Sequence, residues 1–177
     1  MNEQKKFVKE VRQVFEQIKN HKKEYITKVN DLNIIVFPGV FSPKYFTDSA
    51  WFAKVLPKIV KKQTFLEIGT GTGITALSAA LNGANVTATD INPTAVKNAR
   101  ENFRKYRIKA KVYLGNLYAP LDKKERFDFI FWNHPFNKGG NPKEKILLKA
   151  GFDYKYQALK KYIQEAENHL KHNGKLL

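Results

Sequence analysis

The chain has 177 residues, of which 42% are hydrophobic, and this is enough for one domain with a substantial core. It contains no cysteine, which excludes disulfides and a thiolate metal site. No apolar run approaches the roughly 18 residues of a membrane helix. The N-terminus also lacks the apolar core of a signal peptide. We therefore expect a cytoplasmic protein without a membrane partner.

The formal charge is +16, from 32 basic and 16 acidic residues. Such a protein is attracted to polyanions, so nucleic acid or the ribosome is a partner to consider. The excess of basic residues is spread along the chain, however, and most of these residues are lysines. Lysine lacks the planar pair of donors with which arginine binds phosphate through two hydrogen bonds. A lysine-rich solvated surface explains the charge equally well, and both interpretations stay open.

The first 40 residues form a unit of their own in the sequence pattern. Residues 3–20 predict an amphipathic helix, because apolar residues recur at intervals of three and four: Phe7, Val11, Val14, Phe15 and Ile18. We expect this helix to pack on the main domain or to cap the substrate, with a membrane-surface helix as the alternative. Residues 24–37 predict a short hairpin. Residues 1–40 are thus expected to pack on a core formed by residues 41–177.

From residue 41 onward, helical and strand patterns alternate. A helix is expected from Thr47 or Asp48 to about Ile59, with Pro57 kinking or ending it. A last helix is expected over 154–171, and a further strand is expected to begin near Lys175. Strands are predicted at 63–68, 85–90, 109–114 and 127–132, with helices at 73–82 and 93–106 between them. This alternation predicts an α/β fold with a Rossmann-like, doubly wound, mainly parallel sheet.

The motif around which the chain is organised is a strand that runs into Gly69, Gly71 and Gly73 and then into a helix. Glycines in this context allow positive φ and close approach of a ligand, which is typical of a nucleotide-binding loop. Asp90 ends the next strand, 21 residues after Gly69, where an acidic residue accepts hydrogen bonds from a ribose diol. A plain tight turn and a dinucleotide loop are the alternatives, although the dinucleotide spacing GxGxxG differs from GxGxG here.

With Glu67 in front, this motif reads ExGxGxG, and the strand at 127–132 ends in Asn133-His134-Pro135-Phe136. Together they resemble class I S-adenosylmethionine (SAM) methyltransferases, in the small-domain group of N-methyltransferases with an NPPF/Y-like motif. The resemblance covers about residues 42–177. It implies the class I methyltransferase fold, with SAM lying across the carboxyl ends of the strands at 63–68 and 85–90.

The resemblance also implies roles for individual residues. Asn116 would accept a hydrogen bond from the adenine N6 group of SAM, and the Leu117 N–H would donate to adenine N1. The implied cofactor-binding residues are Thr47, Glu67, Gly69, Gly71, Gly73, Asp90, Ile91, Asn116 and Leu117. The implied catalytic residues are Asn133, His134, Pro135 and Phe136. No metal is expected, because His21, His134, His169 and His172 lack metal-ligand spacing.

The NHPF motif suits a planar amino nitrogen, which is a poor nucleophile because its lone pair is delocalised. The Asn133 side-chain oxygen and the His134 carbonyl can accept its two N–H bonds and hold it toward the methyl group. Phe136 can stack on the flat substrate and tolerate its developing positive charge. His134 replaces the usual first proline, and its imidazole either acts as a base or substrate contact or only packs or faces solvent.

The leading hypothesis is therefore SAM-dependent methylation of a planar amino nitrogen, in an RNA or DNA base or in a protein glutamine. The alternatives are a non-catalytic SAM-binding module and a nicotinamide-dependent oxidoreductase. The family fold continues beyond its fifth strand, whereas this sequence ends at Leu177. We therefore expect a fold truncated in that strand, with an exposed sheet edge through which the chain can self-associate.

Overall fold

A central sheet of five strands carries the fold in the computed structural model, which describes residues 3–141, 143 and 145–177. The strands are β3 (Thr64–Ile68), β4 (Asn85–Asp90), β5 (Lys111–Leu114), β6 (Phe127–Trp132) and β7 (Leu170–Leu176). All are parallel, in the order β5-β4-β3-β6-β7. From β3 the chain adds β4 and β5 on one side, and it then adds β6 and β7 on the other side of β3. This is the doubly wound topology that the alternating pattern predicts, and its switch point lies between β3 and β6.

The remaining elements cover the sheet or pack beside it. They are α1 (Glu3–Asn20), β1 (Tyr25–Val29), β2 (Leu32–Val36), α2 (Asp48–Ile59), α3 (Ile74–Leu81), α4 (Pro93–Lys105) and α5 (Gln157–Ala166). One apolar cluster joins β1, β2, α2, α3 and α4 to the sheet, and a second joins α5 to it. Helix α2 contains Pro57 and ends two residues after it.

The hairpin of β1 and β2 is fastened to α4 by two buried asparagines. The Asn98 side chain accepts a hydrogen bond from the Phe37 amide at 2.8 Å, and that of Asn102 accepts one from the Ile35 amide at 2.9 Å. Both side chains also donate to the Ile35 carbonyl. A buried backbone group needs a hydrogen-bond partner. The side-chain amides of Asn98 and Asn102 therefore complete the hydrogen bonding of the edge of β2, which would otherwise be unpaired.

Helix α1 packs through the apolar face that its sequence predicts. Phe15 and Ile18 are buried in a cluster with Leu147, Leu148 and Phe152. Val8, Val11 and Val14 pack against this cluster, whereas Phe7 of the same helix is 52% exposed. Within the described part of the chain, no helix is long and apolar enough to cross a membrane.

The prediction of one helix over 154–171 is wrong. Residues 154–156 form a 3-10 turn, α5 ends at Ala166, and the chain is extended from Leu170. The Asp153 carboxylate accepts hydrogen bonds from the first-turn amides of Ala158 and Leu159, which fixes where α5 begins. The predicted strand near Lys175 exists but starts five residues earlier. His169 and His172 are consequently not neighbours on one helical face.

Candidate functional site

A cavity of about 310 Å³ opens at the carboxyl ends of β3, β4 and β6. It brings together the glycine motif, Asp90, the Asn116-Leu117 pair and the Asn133–Asn137 segment, which are far apart in sequence. Phe7 and Val11 of α1 complete one wall. Ligands bind at such a switch point because the loops after neighbouring strands diverge there and leave a crevice.

The glycine loop has a conformation that other residues adopt only with strain. Gly69 has φ +65° and Gly73 has φ +81°. A Cβ on Gly69 would lie 2.8 Å from Nε1 of Trp132, and one on Gly73 would lie 3.0 Å from Cβ of Ala99. Gly69 and Gly71 border the cavity, whereas Gly73 lies outside its lining and allows α3 to pack closely on α4.

Glu67 supports this loop from beneath. Its carboxylate accepts hydrogen bonds from the Thr70 hydroxyl at 2.5 Å and the Ala76 amide at 3.2 Å. The residue is buried, and burial raises the pKa of its carboxyl group to about 7. Glu67 therefore joins the loop to the first turn of α3, and it also borders the cavity.

Asp90 connects the glycine loop to the end of β4. One carboxylate oxygen accepts a hydrogen bond from the Gly71 amide at 2.8 Å, and the other accepts one from the Asn92 amide at 2.8 Å. Burial raises the pKa of this carboxyl group. Each oxygen of a carboxylate can accept a second hydrogen bond, so Asp90 retains the capacity to receive both hydroxyls of a ribose.

The loop after β5 forms the neighbouring wall. Leu117 is buried and has φ +51°, and its carbonyl accepts a hydrogen bond from the Thr89 hydroxyl at 3.1 Å. The Gly115 amide donates to the Asp90 carbonyl at 2.9 Å. Asn116 is exposed, Ile91 just after β4 is 37% exposed, and both border the cavity. Apolar walls with one polar side chain at the edge suit a flat heterocycle.

Asn133 has a fixed orientation at the end of β6. Its Nδ2 donates a hydrogen bond of 2.8 Å to the Asp48 carboxylate at the first residue of α2. Because a carboxylate has only acceptor atoms, the amide nitrogen must face Asp48 and the amide oxygen must face away. That oxygen, Oδ1, is buried and has no hydrogen-bond partner among the described residues. A buried acceptor left in this state is costly unless a ligand supplies a donor.

The rest of the NHPF motif borders the same cavity. The His134 amide donates to the Trp132 carbonyl at 2.8 Å, and the imidazole Nδ1 lies 3.1 Å from the Pro135 carbonyl. Phe136 is 60% exposed, with its ring centroid 5.1 Å from that of His134. An exposed aromatic ring at the mouth of a cavity can stack on a planar ligand.

The comparisons with known proteins agree with this geometry. Residues 31–177 match the family model described as methyltransferase small domain. The chain belongs to this family. The sequence-based recognition of a class I SAM-dependent methyltransferase and of its fold is thereby confirmed, and SAM is the cofactor of this class.

Relatives of this small-domain methyltransferase have different targets in their names. A protein of Methanocaldococcus jannaschii named as a protein N5-glutamine methyltransferase is 32% identical, and the match covers 84% of this chain and 76% of the relative. A ribosomal RNA small subunit methyltransferase C of Hamiltonella defensa is 30% identical over 84% of this chain and 41% of the relative. The chain thus spans less than half the length of this ribosomal RNA methyltransferase.

Solved structures give the same fold. A 16S rRNA N2-guanine methyltransferase of T. thermophilus, in complex with AdoMet and guanosine, has a TM-score of 0.67 at 22% identity. The match covers 87% of this chain and 40% of that one. A ribosomal protein L11 methylase of Lactobacillus delbrueckii subsp. bulgaricus has a TM-score of 0.59 at 25% identity, over 80% of this chain and 63% of that one.

The cavity of this small-domain methyltransferase fits SAM on its own residues. A Cβ on Gly71 would meet no atom closer than 3.9 Å, so this glycine leaves space beside the cavity. Asp90 has spare acceptor capacity, and Asn133 Oδ1 lacks a donor among the residues that the structure describes. All of the sequence-predicted site residues border the cavity except Gly73 and Thr47. Thr47 precedes α2 and makes no side-chain cap bond, whereas the next two residues, Asp48 and Ser49, do border the cavity.

Sequence reasoning missed three contributions to this small-domain site. The contact of Asp48 with Asn133 joins residues 85 positions apart, and no local pattern indicates it. The pattern of α1 left open whether the helix packs on the domain or caps the substrate, and it did not indicate that Phe7 and Val11 border the cavity. Trp132 was assigned to the strand, yet its indole forms the floor under Gly69. The helical period of α1 gave no indication of which apolar residues would face a ligand rather than the core.

Proposed function

We propose that this chain transfers a methyl group from SAM to a planar amino nitrogen, with Asn133 Oδ1 as the acceptor that binds the amino group. The observation that carries the proposal is that this buried oxygen, which borders the same cavity as the glycine loop, has no hydrogen-bond partner in the described part of the chain. The nicotinamide alternative has no use for such an acceptor at the end of β6. A non-catalytic SAM-binding module would likewise gain nothing from an oriented Asn133.

When bound, SAM supplies an electrophilic methyl group on a cationic sulfur. The residues of this chain do the positioning. Asn133 Oδ1 and the His134 carbonyl receive the two N–H groups of the target, which directs the nitrogen lone pair toward the cofactor side of the cavity. Both acceptors gain strength as positive charge develops on the nitrogen, so they stabilise the transition state more than the ground state. Phe136 covers the flat face of the target.

The target is either a nucleobase or a protein glutamine, since both present an amino group on a planar carbon. Nucleic acid is favoured because the segment that borders the mouth of the cavity carries few acidic residues and several exposed lysines, which are Lys138, Lys143, Lys145, Lys149 and Lys155.

The absence of cysteine favours the cytoplasm as the location of the protein. Self-association through an edge of the sheet also remains part of the proposal.

The test separates cofactor binding from chemistry. Thermal stabilisation by SAM and S-adenosylhomocysteine, but not by NAD(H), is expected of the wild-type protein. The Asn133→Ala variant should bind SAM within a few-fold of wild type and lose at least ~100-fold in turnover, the scale for losing one transition-state contact. The methyl acceptor is identified as the fraction of a cell extract that becomes labelled from methyl-labelled SAM. Stabilisation by NAD(H) alone would refute the proposal.

A further inference from the structure

The densest positive charge of the described surface lies on α4 and on its connection to β5. Residues 97–111 contain a single acidic residue, Glu101, and seven basic residues: Lys97, Arg100, Arg104, Lys105, Arg107, Lys109 and Lys111. All seven basic residues are exposed. The charge that is spread along the sequence is therefore locally concentrated on this part of the folded surface.

Most of the arginines of the chain also lie on this surface. Three of the five arginines of the chain are Arg100, Arg104 and Arg107. Arg104 pairs with Glu101 at 2.6 Å, but both side chains are accessible to water and such a pair is easily exchanged. Arg100 gives one N–H to the Val112 carbonyl and keeps its other donors. A guanidinium group binds phosphate in a fork, which an ammonium group cannot do.

The basic residues form a track that follows α4 away from the cavity. Lys97, Arg100 and Arg104 are spaced by three and four residues, so they lie on one face of α4 over about 10 Å. The helix begins after Asn92, which borders the cavity. Its far end leads into a shallow groove whose basic residues are Arg100, Arg104, Lys109 and Lys111. The groove also contacts Asn85, at the start of β4, so it lies about 17 Å from the strand ends that form the cavity.

We propose that this track binds the phosphate backbone of a nucleic acid whose target base enters the cavity. The inference rests on the proposed function for the fate of that base, but it concerns a surface outside the cavity. A cation row at helical spacing suits a chain of regularly spaced anions, and a glutamine-bearing protein substrate has no such chain. The track would set affinity and position, while the cavity selects the base.

The test compares two triple variants with the same loss of charge. The track variant is Lys97→Gln, Arg104→Gln and Lys109→Gln. The control variant, Lys54→Gln, Lys58→Gln and Lys61→Gln, changes exposed lysines on and just after α2. Affinity for a labelled single-stranded RNA and for DNA of the same sequence is measured between 50 and 300 mM salt, on the order of the range over which phosphate contacts are lost.

We expect the track variant to bind at least tenfold more weakly, with the slope of log affinity against log salt reduced by about 2, at ~0.7 per phosphate contact on a single strand. The control should keep the wild-type slope. Tighter binding of RNA than of DNA would assign the substrate to RNA, and the reverse would assign it to DNA. Equal weakening of both variants, or no binding of either nucleic acid by the wild type, would overturn the inference. Binding of SAM to the same proteins, measured by calorimetry, distinguishes this inference from the proposed function. Absence of SAM binding would count against the proposed function, whereas loss of the nucleic-acid result alone counts against the track.

Discussion

The Asn133 side chain is held by Asp48, with 2.8 Å between Asn133 Nδ2 and the Asp48 carboxylate oxygen. This contact connects the first residue of α2 to the end of β6 and fixes which end of the amide faces the cavity. Asp48 touches neither reacting atom in the proposed reaction. It is a positioning residue, and its effect should disappear when Asn133 is absent.

The first prediction tests this contact with Asp48→Asn. An asparagine at position 48 can donate as well as accept, so the Asn133 amide can turn over without losing its hydrogen bond. We expect turnover to fall about tenfold, since part of the population would present a donor to the amino group, with SAM affinity unchanged. In an Asn133→Ala background the same substitution should have no further effect on turnover. Additive losses in this double-mutant cycle would show that Asp48 acts by another route.

The second prediction concerns the imidazole of His134. If only its backbone carbonyl takes part, His134→Ala should keep turnover within a few-fold of wild type with an unchanged pH profile. Loss of a general base would instead lower turnover by at least ~100-fold. His134→Pro is a less clean test, because proline lacks the N–H that His134 donates to the Trp132 carbonyl. A stable but inactive His134→Ala protein would give the imidazole a chemical role.

The third prediction concerns the ribose contact. Asp90→Asn keeps the size of the side chain but can accept from only one of the Gly71 and Asn92 amides through its single carbonyl oxygen. We expect SAM to bind at least 10-fold more weakly by calorimetry, equivalent to about 1.5 kcal/mol for a hydrogen bond to a charged group. The melting temperature without ligand serves as the control for loop integrity. Unchanged SAM affinity in a stable protein would remove Asp90 from the cofactor site.

Local sequence patterns predicted the elements whose bounds depend on residues close together in the chain. Strands β4 and β6 begin and end where the pattern predicts, because apolar runs are bounded there by an acidic residue or a Pro-containing motif. Helix α1 was likewise predicted over its full length from its apolar period. In each case the determining interactions lie within a few residues, which is the range that periodicity detects.

What the sequence did not reveal depends on contacts between distant residues. Strand β7 is polar through Lys171-His172-Asn173, with no alternation to mark it, and it forms because the chain after α5 pairs with β6. Gly174 allows this approach, since a Cβ there would lie 2.8 Å from the Phe127 carbonyl oxygen. The Asp48–Asn133 contact has the same character. Neither the first half of β7 nor this contact has a local signature, so both are defined only in the folded chain.

The last prediction concerns the buried carboxyl of Glu67, whose pKa burial raises to about 7. In the unfolded chain the group titrates near its ordinary pKa of about 4.3. Between these values the unfolded state loses its proton while the folded state keeps it, so the free energy of unfolding should fall as pH rises from about 4.5 to 7 and level off above that. A shift of this size corresponds to roughly 3.5 kcal/mol at 1.36 kcal/mol per pKa unit.

The variant Glu67→Gln has no such proton, and its amide oxygen can still accept from Thr70 and Ala76, which both bond to the same carboxylate oxygen. The free energy of unfolding, measured with urea at pH 5 and pH 8, should therefore depend less on pH for Glu67→Gln than for wild type. The stability of the variant relative to wild type should be higher at pH 8 than at pH 5. An identical pH dependence in the two proteins would mean that Glu67 is not the group that titrates.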